Sequence, residues 1–156
     1  MADKVTVMPG NGTEKKWPNE GDVFYFKLSD GRFGYGMVSL GKIDVGPFKN
    51  AIVIYIYDSF TLSPDENITL KKEDLLLPPI ITNASCWKNG YFVTLKKLGS
   101  NRLDVYHEHY FKNPIRNKVY NHNGIETELP IDNIPVGEES IQFHKSVINS
   151  IEYALN

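Results

Sequence analysis

The chain has 156 residues, 41% of them hydrophobic and 12% aromatic, which predicts one folded globular domain over 1–156 and excludes a disordered chain. Its formal net charge is −2, without the basic excess that would attract nucleic acid. A single cysteine, Cys86, excludes an internal disulfide framework and fits a reducing, cytoplasmic setting; Met1 to Pro9 has no long apolar run, so neither a secretory leader nor a membrane span is expected.

Residues 1–19 read as a loose polar arm, with a short edge strand at Lys4 to Met8 and Trp17 capping one end of the core. Gly21 to Val38 then reads as a hairpin. Phe24, Phe26 and Leu28 alternate on one face of its first strand, and Asp30-Gly31 supplies the positive φ angles of a tight turn. The second strand puts Phe33, Tyr35 and Met37 on one face and Gly34, Gly36 and Val38 on the other. Glycines two residues apart leave a bare strip, where a strand coils hard or another group comes close.

Gly41 to Asn50 reads as a loop carrying Gly46 and Pro47. Ala51 to Asp58 is the strongest strand signal. Ile52, Ile54 and Ile56 share one face and Val53, Tyr55 and Tyr57 the other, so both faces should be covered and the strand central. Ser59 to Asn67 is a loop. Leu70 to Leu77 predicts a helical turn followed by a strand, stopped by Pro78-Pro79. Asn89-Gly90 predicts a hairpin turn into a strand at Tyr91 to Leu95. Leu103 to His107 alternates as a strand would, and Asn121 to Gly124 joins strands at Lys118 to Tyr120 and Glu126 to Leu129. Pro130 to Pro135 reads as extended linker.

From Glu138 the period changes. Ile141, Phe143, Val147, Ile148, Ile151, Ala154 and Leu155 fit one broad helical face, and the sheet is the only large partner for it. The fold class expected is therefore α+β: a mostly antiparallel, strongly bent or barrel-like sheet with a C-terminal helix over 138–156 packed on it.

Little in the chain resembles chemistry. His107-Glu108-His109 on a strand would place two imidazoles on one face, and His122 would supply a third metal ligand; ordinary surface or packing histidines are the favoured reading, and no metal or cofactor is expected. Gly31 to Gly36 lacks both the dinucleotide pattern and the lysine of a phosphate loop, and no helix follows it. Cys86 beside Trp87 has no obvious activating base. Asp65-Glu66 and Glu73-Asp74 read as solvated loop carboxylates or part of an interface rather than as an acid/base couple. No catalytic residues are assigned and no enzyme is expected. A small β-barrel binding module for a peptide or another ligand remains an alternative, as does a metal-dependent enzyme built on the histidines.

Gly21-Asp22-Val23-Phe24, followed by Asp30-Gly31-Arg32-Phe33-Gly34-Tyr35-Gly36-Met37-Val38, resembles the opening of the bacterial immunity protein 26 family. Leu77-Pro78-Pro79-Ile80, then Trp87 with Gly90-Tyr91-Phe92, is similar to its middle section. The resemblance covers Glu20 to Leu95, with a looser fit over Val119 to Gly124. It departs from the family at Lys27-Leu28, where a Pro-Leu pair is expected, and near Phe92, where a tryptophan is. The resemblance implies a cytoplasmic antidote that binds a cognate polymorphic toxin and inhibits it, with no catalytic motif to carry over. Were the toxin a basic nuclease, Asp58, Asp65, Glu66, Glu73 and Asp74 would steer the encounter.

Overall fold

The structure is a computed structural model that describes residues 3–8, 17–45, 48–102, 104–130 and 133–156. Most of the predicted N-terminal arm, the predicted loop residues Gly46 and Pro47, and Leu103 lie outside the described residues. In chain order the elements are β1 (Val5–Thr6), β2 (Asp22–Leu28), β3 (Phe33–Val45), β4 (Phe48–Thr61), β5 (Ile80–Thr82), α1 (Ser85–Lys88), β6 (Val93–Lys97), β7 (Tyr110–Lys112), β8 (Val119–Asn121), β9 (Glu126–Thr127), β10 (Val136–Glu138), β11 (Ile141–Gln142) and α2 (His144–Leu155).

A seven-stranded sheet, ordered β1-β2-β3-β4-β5-β11 with β6 also on β2, curls into a half-barrel; a four-stranded sheet is ordered β10-β7-β8-β9. Pairing is antiparallel except for β11 on β5 and β10 on β7. The predicted α+β class, with its bent antiparallel sheet and C-terminal helix, is what the structure shows.

The curl has a local cause. The bare glycine strip is filled by rings from the neighbouring strand: Phe24 pairs across to Gly36 and Phe26 to Gly34, and a Cβ at either glycine would run into that ring. Further along, the β3–β4 register shifts at several points between Gly34 and Val45, and each such irregularity bends and twists a strand. The pair is longer than expected: residues read as loop on both sides of Ala51 to Asp58 extend the strands, so β3 runs to Val45 and β4 begins at Phe48.

β4 is covered on both faces, as its composition predicts. Ile52, Ile54 and Ile56 join Phe24, Phe26, Trp87 and Phe92 in the largest core cluster, which Val147, Ile148 and Ile151 of α2 close. On the opposite face, Tyr55 and Tyr57 pack with Val23, Tyr35 and Met37. Ala51 and Val53 meet Phe111 of the small sheet.

The structure corrects several expectations. The C-terminal helix begins at His144, not Glu138, and β10 and β11 take up most of the residues before it. Phe143 is 55% exposed, and Ala154 also faces solvent. Asn89-Gly90 does not turn a hairpin: Asn89 caps α1, and Gly90, at φ 80°, ends it in the left-handed conformation that glycine tolerates. Leu70 to Leu77 contains a helical turn at Lys72–Asp74, but the strand expected after it is reduced to one bridge, Tyr57 to Leu75. The described part of Leu103 to His107 is not a strand. Trp17 is half-buried rather than a core cap, with the Lys88 ammonium 5.8 Å from its ring centre.

Candidate interaction surface

The acidic loop residues fall into two groups, all exposed. The bridge from Tyr57 to Leu75, with the Leu76 N–H donating to the Ile56 carbonyl at 2.8 Å, sets Asp58 beside the Glu73-Asp74 turn. Lys72 lies among them, 3.1 Å from Glu73 and 3.0 Å from Asp104. Asp65 and Glu66 sit on a separate loop held by Tyr35, whose hydroxyl accepts the Asp65 N–H at 2.9 Å and bonds Thr61 Oγ1. Lys96 Nζ donates to the Glu66 carbonyl at 2.6 Å. Lysines beside both groups offset part of the charge, and exposed ion pairs of this kind hold geometry weakly.

The three histidines are placed unequally. His107 is exposed. His109 is 1% exposed, with Nε2 2.7 Å from the Tyr55 hydroxyl, which also accepts the Tyr106 N–H at 3.0 Å. The His109 N–H donates to His122 Nδ1 at 3.2 Å. Burial first, then nearby His122 and Arg102, pushes the His109 pKa down to about 3. Burial also pushes Tyr55 up to about 12, so both groups stay neutral, and the imidazole tautomer sets which of them donates. His109 Nδ1 and the Tyr57 hydroxyl are buried without a partner. Among the described residues no three His, Cys, Asp or Glu side chains are grouped to hold a metal ion. The Tyr55–His109 pair was not read from the sequence; its one signal is a tyrosine on a strand buried on both faces, whose hydroxyl must find a partner.

Cys86 is buried in the main core, and burial pushes its thiol pKa up, the opposite of an activated nucleophile. Asp22 is buried too; its carboxylate accepts the Asn19 N–H at 2.8 Å, and burial raises its pKa. No helix among the described residues is long and apolar enough to cross a membrane.

Leu77 and Pro78 separate two surface clefts. One, of about 400 Å³, lies over the seam where β5 meets β10, and Gly137 packs there against the Pro79 carbonyl. The other, of about 450 Å³, is bounded by Lys72, Glu73 and Tyr106. Both are open and lined mainly by short or apolar side chains, so they can seat a protuberance of a partner.

The family model for Immunity protein 26 matches residues 19–121, about two thirds of the chain. The chain belongs to this family. No curated protein and no solved structure gives a significant match. The matched stretch takes in β2 to β8, and so the glycine strip, Trp87 and the Tyr55–His109 pair; β9 to β11 and α2 lie beyond it. Membership of the immunity protein 26 family brings with it a general role in neutralising a toxin.

Proposed function

We propose that the protein acts in the bacterial cytoplasm by binding one cognate toxin domain of a polymorphic toxin system, blocking it by occupancy and without turnover. The family match carries this reading. Two features of the molecule agree with it. The side chains with the most perturbed titration, His109, Tyr55, Tyr57 and Cys86, are sealed in the interior, where they brace the sheet and meet no substrate. The half-barrel is braced on both faces, which limits the ordering that a binder must undergo on association.

The toxin proposed is a basic one, a nuclease being the natural case, drawn in by Asp58, Asp65, Glu66, Glu73 and Asp74. Rim charges of this kind act mainly on the association rate. The triple variant Asp65→Lys, Glu66→Lys, Glu73→Lys should associate with the toxin domain roughly tenfold more slowly at low salt, with the difference shrinking as ionic strength rises. Unchanged association at every salt concentration would remove the steering role, and failure of the wild-type protein to bind the toxin would remove the whole reading.

A further inference from the structure

We propose that Asn123-Gly124, at the tip of the hairpin joining β8 to β9, is a site of spontaneous covalent modification, where Asn123 is converted to aspartate and isoaspartate. The backbone nitrogen of Gly124 attacks the side-chain amide carbon of Asn123 and gives up its proton to solvent. The side-chain nitrogen takes up a proton and leaves as ammonia, closing a succinimide ring. Water then adds to either carbonyl of the ring and opens it. No electrons are exchanged, and water is the only co-reactant. Each converted molecule gains one negative charge, and in the isoaspartate form the main chain runs through the former side chain. The inference goes beyond toxin binding and does not depend on it.

The attacking nitrogen must come within reach of the amide carbon, and a following residue without a side chain leaves that approach clear. The chain carries this pair at Asn11-Gly12, Asn89-Gly90 and Asn123-Gly124; the first lies outside the described residues. The structure separates the other two. Asn123 is exposed, and among the described residues its side-chain amide has no hydrogen-bond partner. Asn89 Nδ2 donates to the Ser85 carbonyl at 2.8 Å and lies 3.4 Å from His144 Nδ1.

In both pairs the glycine N–H is tied into a turn, Gly124 to the Asn121 carbonyl at 2.9 Å and Gly90 to the Trp87 carbonyl at 3.2 Å. Each turn must open before its nitrogen can attack, and the two differ in what opening disturbs. Gly90 is buried at the end of α1, whose Cys86 and Trp87 lie in the main core with Phe24 and Phe92. Freeing Asn89 therefore disrupts that core. The Asn123 turn leads into β9, two exposed residues that pair only with β8 among the described residues. Local bonds hold the tip: Asn121 Oδ1 accepts the Asn123 N–H at 2.9 Å and the Ile125 N–H at 3.1 Å. On the other side His122 Nδ1 accepts the His109 N–H at 3.2 Å, which anchors β8 and leaves the opening to the residues past it. Exposed hairpin ends open at lower cost than elements packed in a core.

The test ages the native full-length protein in mildly alkaline buffer and follows it by tryptic mass spectrometry against a zero-time sample. Cleavage after lysine puts the three pairs on separate peptides, 5–15, 89–96 and 119–145. Conversion should accumulate at Asn123 about tenfold or more faster than at Asn89, while in urea the two should convert at similar rates. Asn121→Ala removes the side-chain acceptor of the turn and should speed conversion at Asn123 roughly two- to fivefold. Asn123→Gln should remove most of the acidic species that ion exchange separates from aged protein. Native conversion at Asn89 that matches Asn123, an Asn123 that stays intact, or a preference for Asn123 that persists in urea would each overturn the proposal. A rate unaltered by Asn121→Ala would overturn turn opening as its gate.

Discussion

Gly36 gives the most direct test of how this sheet is held. An alanine there would put its Cβ into the Phe24 ring and 2.5 Å from the Tyr55 carbonyl oxygen. Neither neighbour can yield. Tyr55 is in the central strand, and Phe24 is stacked on Phe92 at 4.4 Å and edge-on to Trp87 at 4.9 Å, all of them fully buried. Overfilling such a site costs about 1–3 kcal/mol. Against this, alanine restricts the unfolded chain and returns roughly 0.4–1 kcal/mol. The net expected loss is about 1–2 kcal/mol, which for a chain of this size lowers the melting temperature by roughly 2–8 °C. Circular dichroism melts and urea titrations measure it. Phe24→Leu should be less damaging in the Gly36→Ala background than alone, because it makes room for the new methyl group. A Gly36→Ala protein that melts with the wild type, or two substitutions whose effects simply add, would refute the claim that Phe24 occupies the glycine strip.

Two further predictions concern buried polar groups. His109 has a pKa near 3 when folded against 6.5 in its ordinary state, so as pH falls below about 6.5 the unfolded chain binds a proton that the folded one refuses. Stability is therefore full above that pH and declines toward pH 3, by at most ~1.4 kcal/mol per unit, while the raised carboxyl of Asp22 works the opposite way in the acid range. His109→Gln should flatten the decline between pH 6.5 and 5 in urea titrations, and an unaltered slope would show that other groups set it. Tyr35→Phe removes the acceptor of the Asp65 N–H and the bond to Thr61, so amide exchange in 62–67 should quicken with a stability loss of about 1–2 kcal/mol; protection equal to the wild type would mean that the loop is held by something else.

The elements legible in the sequence are those whose burial pattern is local. β4 announces itself because apolar side chains on both of its faces leave no other home for the strand, and the Phe24 and Phe26 alternation fits the glycine strip opposite. The elements misread are those that distant contacts decide. Asn89-Gly90 offers a left-handed residue, which a hairpin and a helix end need equally; α1 takes it because Cys86 and Trp87 are drawn into the core beside Phe24 and Phe92. Near Tyr106 the main-chain N–H goes to the Tyr55 hydroxyl, so an alternating pattern there makes no strand. Ile141 and Phe143 suit a helical repeat as well as a strand. What settles it is parallel pairing of Ile141 with Ile81, sixty residues away.

The same physics explains why the candidate surface was only partly visible. Adjacent acidic pairs such as Asp65-Glu66 stand out along the chain, and the fold does leave them exposed. Glu126 and Glu128 alternate with Thr127 and Leu129 and so read only as one arm of a hairpin. That hairpin is real, but an exposed Leu129 and a core leucine look alike until the sheet order is known. Once β9 is seen to end its sheet, its apolar neighbours have no interior to enter.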